Sequence, residues 1–305
     1  MKAYYYTPEE CGKSAPPDGG LKLGGFEPTT DPVAADVFVC PYMLHHMGDS
    51  KERGMVSIDR ILALPYLRGN ERRHAFFNVA DTFRFTLPFD GIFLRCDATK
   101  ATLRDNPTTI PIAWPVRDHG ECMPVPPGGF GYDVCFIGWQ STPMNAEACA
   151  YLAASNHNTY LVQRRQFFGY AARDFGQEEA DRQQREYRDV LARSRFSLCV
   201  RSIPEGVLRY RFFEAMSAGR IPILIGDGSA LPLADRIDYK RCIVQIPEAA
   251  VSNIGAYVTK LREGMTDEQI VAAGQYGRAA WEKWLNADNW TDLHGMLVRE
   301  ALEKL

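Results

Sequence analysis

The residues best suited to chemistry lie in one stretch, 194–232, which reads SRFSLCVRSIPEGVLRYRFFEAMSAGRIPILIGDGSALP. Arg201, Arg209 and Arg211 are permanent cations whose planar forks match phosphate oxygens. Glu214 follows Arg211 by three residues, so on a helix the two share a face. An arginine near the helix start can meet a diphosphate, while a carboxylate one turn later can accept both hydroxyls of a ribose. The plain alternative is an intrahelical Arg–Glu ion pair on a solvated surface. The punctuation around the pair favours a site: Gly206 precedes the helix, Gly219 stops it, Pro222 sits in the next strand, and a Gly-Asp-Gly loop follows at 226–228. In a parallel sheet, ligands bind beyond the carboxyl ends of strands, where helices begin. The loop after Val200 is such a place.

Positioning these groups requires an α/β frame. Continuous apolar runs typical of buried parallel strands occur at 2–6, 37–40, 75–79, 91–96 and 109–113, with a helical pattern around 57–67. The Pro/Gly stretch 124–131 interrupts all periodicity and reads as a linker. A second series follows: a strand at 133–137 ending at Gly138, a helix at 146–154, a strand at 159–162 and a helix at 187–194. Strands at 196–200, 221–225 and 242–246 come next. Thr266 and Gln269 have capping-box spacing and open a helix toward Trp284. Alternation of this kind predicts an α/β fold with parallel sheets, organised as two Rossmann-like lobes around a central cleft. The first lobe spans 1–128 and the second 129–284; a terminal helix at about 285–305 packs back on the first.

The stretch 194–232 resembles the donor-binding half of exostosin-like glycosyltransferases. The similarity rests on Ser194, Phe196, Leu198, Gly206, Arg211, Glu214, Ala215, Gly219, Ile221, Pro222 and the Leu231–Pro232 pair. Weaker similarity runs through 35–41, 73–77 and 132–138 and covers about 34–250 in all. Where the family has a Pro before the loop Gly, this chain has a longer loop at 201–206. The resemblance implies a GT-B architecture, with a glycan or glycoconjugate acceptor in the first lobe and a nucleotide sugar in the second. It also implies an inverting transfer from a UDP-sugar, with Arg201, Gly206, Arg209, Arg211, Glu214 and Gly138 on the donor side. Two alternatives stay open: a fucosyltransferase-like enzyme using GDP-fucose, and a non-catalytic nucleotide- or carbohydrate-binding module. UDP-sugar hydrolysis without acceptor separates the module from an enzyme.

The rest of the sequence narrows the classes. The chain has 305 residues, 46% hydrophobic and 24% charged, with a formal net charge of −3. The lack of a basic excess argues against a nucleic-acid partner. The longest apolar runs are strand-sized, too short to span a bilayer. Glu9 and Glu10 interrupt the start before an apolar stretch of leader length develops, so the expected location is cytoplasmic. None of the eight cysteines has Cys-x-x-Cys spacing, and reduced, buried thiols are expected. Gly129-Phe130-Gly131 precedes a strand instead of following one, which disfavours a dinucleotide oxidoreductase. No Asp-x-Asp pair occurs, so no metal and no cofactor is expected; arginines and helix dipoles then stabilise the leaving diphosphate. Arg164, Arg165 and Arg173 are further candidates for that task.

Inverting transfer also needs a base for the acceptor hydroxyl, expected from the first lobe on a loop after a strand. Asp81, directly after the 75–79 strand, and His45 or His46, after the 37–41 strand, qualify. Adjacent histidines point apart, and no third ligand lies at sensible spacing, so His45 and His46 do not suggest a metal site. If Asp81 is the base, Asp81→Asn lowers turnover by ~10²–10⁴-fold with UDP affinity unchanged. If Asp81 only caps a turn, the same variant melts earlier and keeps its turnover. Rate and melting temperature measured on one preparation decide between them.

Overall fold

The computed structural model describes residues 1–13, 20–45, 55–79, 88–139, 142–165, 171–202 and 206–305, which form two units. The first comprises Met1–Pro115, Ala230–Leu233 and Trp284–Leu305. Its strands are β1 (Lys2–Tyr5), β2 (Glu27–Thr29), β3 (Val37–His45), β4 (Met55–Ser57), β5 (His74–Asn78), β6 (Ile92–Arg95) and β7 (Thr109–Pro111), with short helices α1 (Ile58–Leu62) and α2 (Lys100–Asp105) between them. They pair in parallel in the order β2-β1-β3-β5-β6-β7, with β4 also on β3. Every residue of β5 is buried, as a strand covered on both faces requires. Aromatic packing fills one face: the His74 ring stacks 4.9 Å from Phe38, and Phe76 lies 5.3 Å from Phe93. Burial pushes the His74 imidazole down to about 4. It therefore stays neutral while Tyr6 Oη and the Asn70 carbonyl engage its two nitrogens at 2.7 and 2.8 Å.

The second unit comprises Val116–Ser229 and Ala234–Lys283. Its strands are β8 (Tyr132–Trp139), β9 (Thr159–Arg164), β10 (Ser194–Val200), β11 (Ile221–Ile225) and β12 (Val244–Ile246). Its helices are α3 (Pro143–Ala153), α4 (Ala171–Phe175), α5 (Gln177–Ala192), α6 (Tyr210–Ser217), α7 (Ile254–Gly264) and α8 (Asp267–Ala280). The strand order is β12-β11-β10-β8-β9, all parallel. After β8 the chain steps to one side, to β9, and then returns to the other side with β10. The topological switch point, where an open α/β sheet forms its crevice, therefore lies between the carboxyl ends of β8 and β10. The capping box expected at Thr266 opens α8, with Thr266 and Gln269 bonding reciprocally. In the first unit, the last helix, α9 (Trp290–Leu302), closes on the 21–26 loop: Gly24 N–H donates to the Thr291 carbonyl at 2.7 Å and Arg299 to that of Gly25 at 2.8 Å. All eight cysteines are buried with free thiols.

The units part between Pro115 and Val116, ahead of the Pro/Gly stretch at 124–131. The reason is that 116–123 bonds into the second unit. Asp118 pairs with Arg278 at 3.0 Å, and Glu121 with Arg188 at 3.5 Å. The third tie is Arg220, only 3% exposed. Helix α6 ends in a Schellman motif: Gly219 N–H donates to the Met216 carbonyl and Arg220 N–H to that of Ala215, with Gly219 at φ +62°. That turn delivers the Arg220 side chain inward. Its guanidinium donates to the carbonyls of Leu191 (3.1 Å), Ala192 (2.8 Å), Gly219 (3.1 Å), Met123 (3.4 Å) and Cys122. Replacing Arg220 with Met leaves several of these buried acceptors unpaired. The variant should lose about 3 kcal/mol or more, the worth of two charged hydrogen bonds at ~1.5 kcal/mol each. Urea unfolding measures this, and an unchanged midpoint would refute the role.

Candidate functional site

A cavity of about 250 Å³ opens at the switch point. Ile137, Gly138 and Trp139 at the end of β8 and Val200 at the end of β10 line it, together with Arg209, Tyr210, Arg211 and Glu214 of α6, the inner face of α5, and Arg117 and His119 from the segment entering the unit. Trp139 is 43% exposed at its edge. Among the described residues, five arginines line the cavity (117, 164, 188, 209 and 211), against one carboxylate, Glu214. The chemistry on offer is recognition of an anion.

Helix α6 owes its orientation to its sequence. Phe212, Phe213, Ala215 and Met216 are buried, which turns Arg211 and Glu214 toward the cavity. The intrahelical ion pair does not form: among the described residues, Arg211 and Glu214 bond elsewhere. Arg211 lies along the end of β8, its carbon 4.4 Å above the Phe136 ring and Nη2 donating to the Ile137 carbonyl. Its Nε is buried with no hydrogen-bond partner. Gly138 makes this possible, because a Cβ there would collide with the Arg211 guanidinium. Glu214 Oε2 accepts a 2.9 Å hydrogen bond from Tyr187 Oη. Burial, reinforced by the Glu214 charge, raises the Tyr187 phenol well above its usual range, so it remains a donor.

The structure thus brings Gly138, Arg209, Arg211 and Glu214 together in one cavity, with Arg164 at its wall. Arg201 is engaged elsewhere: its Nε and Nη2 form a two-pronged ion pair with Glu248, both at 2.7 Å. Gly206, at φ +94°, also lies off the lining; it allows the backbone of Gly228 to approach more closely than a Cβ would permit. His45 ends β3, while His46 and Asp81 lie outside the described residues. The sequence reading missed His119, Tyr187, Arg117 and Arg188. Tyr187 and Arg188 carried a faint signal as part of a recognised helix; Arg117 and His119 sit in a segment without a local motif.

His119, Glu121 and Cys122 place three ligand-type atoms within 4.8 Å of one another. Two guanidinium groups already compete for the carboxylate of this trio. Glu121 faces Arg188 at 3.5 Å and Arg117 at 3.9 Å, and burial pushes the Cys122 thiol up to about 11. Metal binding would require that thiol to ionise.

Several known proteins are similar to this chain. Exostosin-1 of Drosophila melanogaster is 28% identical over 102 residues, 33% of this chain and 13% of that protein. Exostosin-1b of Danio rerio is 26% identical over 110 residues, 36% and 14% of the respective lengths. The matched stretch is therefore a small part of either relative. Among solved structures, Anabaena HepE in complex with UDP and glucose superimposes with a TM-score of 0.47 at 10% identity, over 89% of this chain and 78% of that one. A glycosyltransferase from Rickettsia africae gives 0.41 at 10% identity, over 70% and 62%. The profile of the Exostosin GT47 domain matches residues 28–261. That span takes in β2 to α7 and so most of both α/β units, and on it the chain belongs to the Exostosin GT47 domain family.

Proposed function

We propose that this protein is a GT-B glycosyltransferase that moves a sugar from a UDP-sugar to a glycan hydroxyl, with inversion and without a metal ion. The observation that carries the reading is the shared face of Arg211 and Glu214, turned into an arginine-lined cavity at the switch point of a parallel sheet. Family membership supports sugar transfer as the reaction class.

In this reading Arg209 and Arg211, at the start of α6, take the diphosphate, and Glu214, one turn deeper, accepts ribose hydroxyls. Arg164 sits beside them, already bonded to Glu186 at 3.1 Å. The acceptor oxygen attacks the anomeric carbon in line as the bond from that carbon to the diphosphate oxygen breaks. The hydroxyl proton passes to a base of the first unit, with Asp81 the first candidate and His45 or His46 behind it. The charge that develops on the leaving diphosphate is met by guanidinium groups that need no reorganisation at that moment. No helix among the described residues is long and apolar enough to cross a membrane. A cytoplasmic setting remains part of the proposal.

Two outcomes test it. Glu214→Ala removes a charged acceptor and should weaken UDP binding by ~1.5–3 kcal/mol while the melting temperature holds; unchanged affinity by calorimetry would remove the ribose assignment. Transfer should also continue in excess EDTA. Abolition by chelator with recovery on adding manganese would show that the leaving group depends on a metal after all.

A further inference from the structure

His119 stands out among the cavity residues because nothing in the fold employs its ring polarity. The residue is 5% exposed, yet its ring makes no hydrogen bond among the described residues. Nδ1 is buried and lies 3.9 Å from Glu121 Oε1, beyond hydrogen-bond reach. A buried nitrogen without a partner is destabilising, and a leucine would bury a similar side chain without that penalty. Trp281, Trp290 and His294 also carry a buried ring nitrogen without a partner among the described residues, but none of them lines the cavity, where Tyr187 does use its hydroxyl. His119 lines the same cavity as Glu214, and its ring meets the Tyr187 ring edge-on at 5.8 Å.

This arrangement assigns His119 a direct role, one that rests on the nucleotide-sugar reading above. We infer that His119 hydrogen-bonds the base of the bound nucleotide, presenting a neutral imidazole to the imide edge of a uracil. Three observations favour the base over the phosphates. Arg209 and Arg211 occupy the first turn of α6, and Glu214 lies one turn deeper with Tyr187 bonded to it. His119, in contact with that Tyr187, flanks the nucleoside end. The phosphate end is already supplied with cations. The imidazole is also held neutral: burial lowers its pKa, opposed by the Glu214 and Glu121 charges and reinforced by Arg117 and Arg188. One nitrogen of a neutral imidazole can accept from the imide N–H or donate to an imide carbonyl, according to tautomer, whereas a phosphate offers acceptors alone. Sites built around such a bond discriminate strongly against ligands that lack the matching group.

The test measures calorimetric binding of UDP and of inorganic pyrophosphate to the unaltered chain and to His119→Ala, His119→Leu and His119→Gln, with melting curves alongside. The Ala and Leu variants should bind UDP about tenfold more weakly and pyrophosphate as before. His119→Gln, which keeps a donor and an acceptor, should recover most of the UDP affinity. UDP binding unchanged in the Ala or Leu variant overturns the inference. Equal losses for UDP and pyrophosphate also overturn it, by moving the ring to the phosphate end. Loss of the melting transition in all three variants assigns His119 to the core and overturns it too. An unaltered chain that binds no UDP removes the nucleotide-sugar reading itself, a failure distinct from that of His119.

Discussion

The second unit depends on one buried cation. Arg220 has no carboxylate partner among its hydrogen bonds; it donates only to main-chain carbonyls, drawn from three separate segments. Leu191 and Ala192 are the last residues of α5, Gly219 follows α6, and Cys122 and Met123 belong to the entering segment. Two of these groups are helix carboxyl ends, where unpaired carbonyls carry partial negative charge. The guanidinium satisfies orphan acceptors of α5 and α6 together, and this is how its burial is tolerated although desolvation lowers its pKa. The same segments carry the cavity's polar groups: Tyr187 and Arg188 on α5, Arg211 and Glu214 on α6, Arg117 and His119 just before Cys122. One side chain thus sets the mutual placement of three walls.

Within that frame, the cavity's arginines differ in what already holds them. Arg164 is bonded to Gln183 and to Glu186, and Arg188 faces Glu121, which Arg117 shares at 3.9 Å. The Arg164–Glu186 pair is mostly buried; the two pairs of Glu121 are partly exposed, where an ion pair is worth about 0–1 kcal/mol. The Glu121 pairs position their guanidiniums without committing them, so an incoming dianion competes there against weak partners. Arg211 is the exception, bonded only to a neutral carbonyl and lying over Phe136. Gly138 is the residue that allows its guanidinium to be there.

How much of this was legible in the sequence follows from how far each constraint reaches along the chain. The parallel strands, the Gly219 stop and the Thr266 capping box are local, and they stand close to where the sequence puts them. The Arg211–Glu214 face was legible because both residues sit on one amphipathic helix whose buried side is unambiguous. Arg201 shows the limit: a motif-borne arginine beside a strand end looks like a ligand for phosphate, but Glu248, far along the chain, takes its fork. His119 shows the converse. It follows a proline-bounded stretch without periodicity, and long-range ties bring it to the cavity: Asp118 to Arg278, Glu121 to Arg188, and Arg220 to Cys122 and Met123. The division between the units was displaced for the same reason, since the ties of 116–123 to Arg278 and Arg188 cannot be inferred from the Pro/Gly stretch that follows.

Every residue lining the cavity belongs to the second unit. If the cavity holds the donor, nucleotide affinity is a property of that unit's own packing, governed by the Schellman turn, Arg220 and the Gly138–Arg211 fit. The candidate bases Asp81, His45 and His46 come from the other unit's stretch of chain; if one of them takes the acceptor proton as proposed, it enters the energetics in the chemical step. A group that acts only in the transition state changes turnover without changing ground-state binding. Binding and catalysis are therefore separable by residue here. A substitution that weakens nucleotide binding and one that slows transfer need share no contact, and their effects on the free-energy barrier should add.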